Sequence, residues 1–147
     1  MLNQKNNLKK FLSLVTIVLT FSSFEALAQD DVVDSKVWIL TKMNTGRTNV
    51  QTTGTELAWQ EDIVLHFDGT FTKTVGKEGK YTDAKGKFEY QEESDGKYLK
   101  LTYDSKNDLI TSCTSDLVEL LKIISDTEIQ GTAMACDKPM LTYQLSE

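Results

Sequence analysis

Few residues in this chain could do chemistry, and their spacing is informative. The one histidine, His66, has Glu61 and Asp62 nearby in sequence. It stands in an alternating stretch opposite Leu65 and Phe67, which reads as a surface position. Asp104 and Asp108, with Glu92, Glu93 and Asp95, could offer oxygen ligands to calcium. The segment Asp104-Ser105-Lys106-Asn107-Asp108 lacks the glycine and the distant glutamate of a calcium loop, and it carries a lysine. It reads as a solvated tip. There is no Gly-x-Ser-x-Gly elbow, no His-Glu-x-x-His and no glycine-rich phosphate cradle. The expectation is a protein with no catalytic residues, no metal and no cofactor.

The two cysteines, Cys113 and Cys136, are too far apart for a Cys-x-x-Cys redox pair. With one histidine they also fall short of a zinc set. Where they reside follows from the first 28 residues. Lys5, Lys9 and Lys10 form a basic head, Phe11 to Phe21 an apolar run, and Ala26-Leu27-Ala28 a small-residue cleavage site. The run is shorter than the roughly 20 residues a permanent anchor needs. This predicts a leader over 1–28, removed on export, and a soluble periplasmic or secreted product with no stable membrane anchor. In such an oxidising compartment Cys113 and Cys136 should pair as a disulfide.

The whole chain carries 16 basic and 22 acidic side chains. The leader would take three lysines and one glutamate with it, so the mature part is more acidic still. That charge argues against nucleic acid, which needs a basic face, and against docking on anionic lipid. The remaining length suits one domain with one core. Nothing in it presents a long apolar edge, and a monomer is expected.

The elements that must position these residues read as strands and tight turns. After a flexible acidic lead-in over 29–35, Val37 to Met43 is β-prone, and Thr45 to Gly54 reads as a loop. Glu56 to Phe67 alternates, with Trp59, Ile63, Leu65 and Phe67 on one face. Asp68-Gly69 and Asp95-Gly96 are hairpin signals of the type I′ kind, and Gly76 to Gly79 and Asp83 to Gly86 are further turn candidates. In Tyr98 to Tyr103, Leu99, Leu101 and Tyr103 share a face. Residues 115–121 fit either a strand or a helix, and a strand over Glu119 to Ile124 is favoured. Thr127 to Met134 and Met140 to Leu145 complete eight or nine strands, with the single Pro139 between the last two. Short strands at regular spacing predict an antiparallel barrel or sandwich.

Trp38 in the first strand, the hairpin Leu65-His66-Phe67-Asp68-Gly69-Thr70-Phe71, the stretch Leu120 to Ile129 with Ser125-Asp126-Thr127, and the closing strand Leu141 to Leu145 together resemble the small lipocalin-like domains of exported bacterial proteins. The first-strand glycine of larger lipocalins is replaced here by Lys36, and the one arginine, Arg47, lies in a loop. The resemblance implies an all-β, antiparallel up-and-down β-barrel of about eight strands over 36–147. Such a barrel either fills with side chains or holds one small ligand.

Two functions follow as expectations. The first is a non-enzymatic exported protein that sequesters a small apolar or amphipathic ligand. Its wall would draw on Trp38, Trp59, Phe71, Phe88, Tyr90 and Tyr103, with Trp59 and Phe71 foremost. The alternative is a solid barrel that binds a protein partner through its loops, such as Arg47–Gly54 or Cys136–Pro139. Interior volume separates the two, and so do the inward tyrosines, whose hydroxyls need partners when no water is present.

Overall fold

The computed structural model describes residues 35–45, 50–113, 117–131, 136 and 138–147. The expected leader, nearly all of the lead-in, Arg47 and residues 114–116 lie outside them. Nine strands follow in chain order: β1 (Lys36–Thr45), β2 (Val50–Thr53), β3 (Gln60–Leu65), β4 (Thr70–Lys77), β5 (Lys80–Glu93), β6 (Gly96–Tyr103), β7 (Val118–Ser125), β8 (Glu128–Gly131) and β9 (Met140–Leu145). A 3-10 turn, Gly54–Glu56, joins β2 to β3. Every pairing is antiparallel. Each strand from β3 to β8 pairs with the next, β1 pairs with β3, and β9 returns to β1. Eight strands thus close an up-and-down barrel, and β2 adds a short ninth along the far half of β1. Closure leaves the eight barrel strands without free edges.

Alternation sets the interior. Ile63 and Leu65 of β3, Phe71 of β4, Leu99, Leu101 and Tyr103 of β6, Leu121 of β7, Ile129 of β8 and Tyr143 of β9 are all at most 3% exposed. In β1 the register against β9 shifts between Leu40 and Lys42, so Leu40 and Met43 both point inward despite their odd spacing.

The turns depart from the sequence reading in instructive ways. Asp68-Gly69 does not form a type I′ turn, because Gly69 has φ 81° while Asp68 is not left-handed. The strand ends at Leu65, and His66 N–H donates to the Thr70 carbonyl at 2.9 Å. That makes a three-residue loop with glycine at the left-handed position. Asp68 Oδ1 accepts from the Thr70 amide at 2.9 Å and its hydroxyl at 2.6 Å. Those two bonds hold its carboxyl below the ordinary value. The I′ pattern falls instead at Glu78-Gly79, φ 52° and 77°, between paired Lys77 and Lys80. Phe67 accordingly leaves the inward face expected of it and is 71% exposed.

Asp83 to Gly86 is no turn. The strand β5 runs straight through it, with Ala84 and Gly86 buried against the interior. A Cβ at Gly86 would sit 2.0 Å from the Thr102 carbonyl oxygen and 2.8 Å from the Phe71 ring. Gly86 is therefore fixed by close backbone approach, with the Phe71 ring lying over it. Part of the Thr45–Gly54 loop also proves to be strand: β2 pairs with Lys42 to Thr45 of β1. At 115–121 the strand reading holds from Val118 onward.

Candidate functional site

Two features of the barrel carry side chains with functional potential, one at each end. Antiparallel order places the ends. The β3–β4 and β5–β6 turns, the start of β1 and the close of β7 lie at the near end. The start of β3, the β4–β5 turn, the end of β6 and the start of β7 lie at the far end.

The first feature lies inside the far half, and alternation creates it. Glu61 shares the inward face with Ile63 and Leu65, Lys73 with Phe71, and Glu119 with Leu121. Lys73 is fully buried, and Glu61 and Glu119 are 3% and 2% exposed. The Lys73 ammonium lies 2.8 Å from Glu61 Oε1, and 3.0 and 3.3 Å from the two Glu119 oxygens. Tyr143 donates its hydroxyl to Glu61 Oε1 at 2.5 Å, and Tyr103 donates to Glu119 Oε2 at 2.5 Å. Trp59 Nε1–H donates to Glu61 Oε2 at 2.9 Å. The Thr111 hydroxyl donates to Glu119 Oε1.

Each carboxylate thus accepts from neutral donors as well as from the ammonium, and the ammonium has both carboxylates as acceptors, which is how a buried ionic group is tolerated. Burial pushes the Lys73 ammonium down, but the Glu119 and Glu61 charges outweigh it and hold the lysine above its ordinary value. Burial first, and then the Glu119 carboxylate, push the Tyr103 phenol up. Burial and the Glu61 and Glu119 charges do the same to Tyr143. A lysine held charged is a poor nucleophile and a poor base. The arrangement stores charge in a fixed network in which the lysine is held as the cation.

The sign of the pH dependence follows. All three groups have folded values above those of the unfolded chain, 10.5 for lysine and 10.0 for tyrosine. Their contribution is fully present below the unfolded values and is lost as pH rises through the folded ones. The midpoint of urea unfolding should hold steady from neutrality to about pH 10, then fall, as the same groups lose their protons in the unfolded chain while the folded network keeps them. A midpoint that stays level well beyond pH 11 would contradict this reading of the network.

The second feature is a cleft of about 210 Å³ at the near end, lined by Lys36, Leu65, His66, Phe67, Phe88 and Tyr90. Phe88 and Tyr90 stand edge to face at 6.0 Å. Both belong to the inward parity of β5, with Ala84 and Gly86, but sit where the β5–β6 hairpin carries on to its tip. Tyr90 is therefore 56% exposed, while its partner in register, Leu99, is fully buried. Phe67, lifted out by the three-residue loop, forms another wall. His66 Nε2 lies 3.2 Å from the Thr72 hydroxyl and borders the cleft instead of standing apart from it.

Two other clefts, of about 240 and 420 Å³, flank residues 54–60 at the far end. The larger is a more open hollow of mixed lining, with Leu40, Thr41, Gly54, Thr55, Leu57 and Gln60.

The structure divides the six expected wall residues. Trp38, Phe71 and Tyr103 are packed into the core at 4%, 1% and 2% exposure. Trp59 is half-buried at the far end, beside Glu61. It lines the far-end cleft of about 240 Å³, whereas Phe88 and Tyr90 come together on the near-end cleft. Both inward tyrosines of the network have hydrogen-bond partners. Among the described residues, the buried Trp38 Nε1–H has no hydrogen-bond partner. Sequence reasoning passed over Glu61, Lys73 and Glu119. The one trace they leave in the sequence is that each occupies the apolar parity of its strand.

Cys113 and Cys136 are joined, with Cα atoms 5.5 Å apart. Among the described residues no group of three or more His, Cys, Asp or Glu could hold a metal ion. No helix among them is long and apolar enough to cross a membrane. Comparisons with protein-family models, with curated proteins and with solved structures give no match. The geometry therefore defines a class, a closed eight-stranded antiparallel barrel, and nothing narrower.

Proposed function

We propose that this is an exported, non-enzymatic lipocalin-like protein whose barrel is a solid scaffold. Its binding surface is the aromatic cleft at the near end, and the occupant is an apolar side chain of a partner protein. The observation that carries the reading is where the aromatics lie. The interior positions of the barrel are taken by side chains at most a few per cent exposed, while Phe67, Phe88 and Tyr90 gather on the rim. At about 210 Å³ the cleft falls below the 300 to 1,000 Å³ of most small-molecule sites. It suits the single buried aromatic or aliphatic anchor on which protein interfaces depend. The disulfide is compatible with an oxidising compartment.

A small amphipathic ligand is the second reading. Lys36 favours it, because its ammonium at the cleft margin suits a molecule with an acidic head and an apolar body.

A random peptide library selected against the folded protein tests the first reading. Enriched peptides should carry an aromatic or aliphatic anchor. The double variant F67A/Y90A should bind them at least about 30-fold more weakly, the effect of losing a hot spot of roughly 2 kcal/mol. The variant's stability should change little, since both side chains are largely exposed. Peptides without an anchor, or equal binding to the double variant, would refute the assignment of this cleft.

A further inference from the structure

The buried ionic network is covered at the far end by two segments. One carries Leu57, packed into the core, and Trp59, bonded to Glu61. The other is the stretch from Leu109 to Ser112. Leu109 and Ile110 pack against the core, and Thr111 bonds to Glu119. This second segment is not itself part of a strand, and a side chain from elsewhere in the chain helps to hold it. Lys138, half-buried, donates to the carbonyls of Ile110 and Ser112, both at 3.1 Å. Two residues before Lys138 stands Cys136, bonded to Cys113, which directly follows Ser112. The ammonium thus holds two carbonyls of the segment, and the covalent bond anchors the residue that directly follows it. Thr111, two residues before Cys113 in the chain, bonds to Glu119, which bonds to Lys73.

We infer that the Cys113–Cys136 disulfide is a redox lock on the charged interior of the barrel. Oxidation fixes the 109–112 segment as a lid over Glu119, Lys73 and Glu61, and reduction frees that lid while leaving the strands paired. Closure removes two protons and two electrons from the two thiols. The oxidant is a disulfide, protein-borne or of low molecular weight, which exchanges with one thiol and is displaced by the other. The lock acts locally because the barrel ladders do not depend on it: β3, β4, β5 and β6 are joined by tight turns remote from either cysteine. The lid is irregular backbone between two strands, the kind of element that opens locally before a ladder does. Without it, water reaches carboxyl and ammonium groups whose arrangement depends on a dry surrounding. The network is then complete only in a compartment that oxidises thiols. This inference is independent of the near-end cleft and does not rest on what binds there.

The test is acylation of Lys73 by an amine-reactive ester, followed by peptide mass spectrometry. It uses folded protein with its disulfide intact and the same protein after reduction by a phosphine. Amide hydrogen exchange in β3 to β6 is measured in parallel. Lys73 should be protected in the oxidised protein and react at least tenfold faster once reduced, while the β3–β6 amides keep their protection. The C113S/C136S variant should behave as the reduced protein does. An unchanged Lys73 rate on reduction would overturn the lock. Loss of protection in β3 to β6 together with Lys73 would also overturn it, because the bond would then hold the whole barrel rather than its lid.

Discussion

Replacing Lys73 with methionine is expected to cost about 3 to 5 kcal/mol of stability, the penalty for removing one partner of a buried ion pair. Methionine fills much of the space, so cavity formation is not the main cause. What remains is two carboxyl groups, each at most 3% exposed, facing one another with no cation between them. Tyr103, Tyr143, Trp59 and Thr111 still donate to them, but neutral donors do not cancel the charge. A domain of this size has only 5 to 15 kcal/mol in all, so K73M should lie close to unfolding at ambient temperature. Adding E61Q and E119Q to K73M should recover a large part of the loss, since amides can keep bonds to the tyrosines without buried charge. Urea unfolding of the three proteins decides it. A K73M midpoint near that of the parent would mean that the network is hydrated and not sealed.

Phe71→Ala should cost about as much, roughly 3 to 5 kcal/mol, by loss of the ring and the cavity left behind. Phe71 is 1% exposed and meets Tyr103 edge to face at 5.0 Å. Its ring also covers the place where Gly86 has no Cβ. Three constraints thus converge on one side chain: the fold of β4, the close approach of β5 and β6, and the position of the Tyr103 hydroxyl under Glu119. The same substitution separates two roles for Phe71. As part of a ligand wall it would weaken binding and spare stability. As core it destabilises, and binding at the near-end cleft persists in the fraction that stays folded.

Much of the barrel is legible in the sequence because alternation is a strong local signal. The strands of Tyr98 to Tyr103 and Met140 to Leu145 can be drawn almost to the residue. So can the disulfide, once an oxidising compartment is inferred. Turns are less legible, because Asp-Gly suits both a two-residue and a three-residue loop. The choice depends on which strand residues pair, and that is settled across the sheet. Gly86 looks like a turn residue in isolation, yet its glycine is demanded by Thr102 and Phe71, which are distant in sequence. The ionic network is hidden for a related reason. A single charged residue on an apolar face reads as noise, and Lys73, Glu61 and Glu119 become one feature only when closure of the barrel brings β3, β4 and β7 around a common interior. The cleft is half legible. Phe88 and Tyr90 could be named as wall residues, but Phe67 joins them only through the geometry of its loop.

The claim that organises all of this is that the barrel is a scaffold filled by its own side chains, with binding on its rim. The direct test is native mass spectrometry of the protein recovered from an oxidising compartment without detergent, paired with analysis of the solvent extract after denaturation. The account predicts the bare mass of the disulfide-bonded chain and an extract free of any stoichiometric small molecule. A molecule carried at one per chain and released only on unfolding would contradict it, and would return the binding site to the interior.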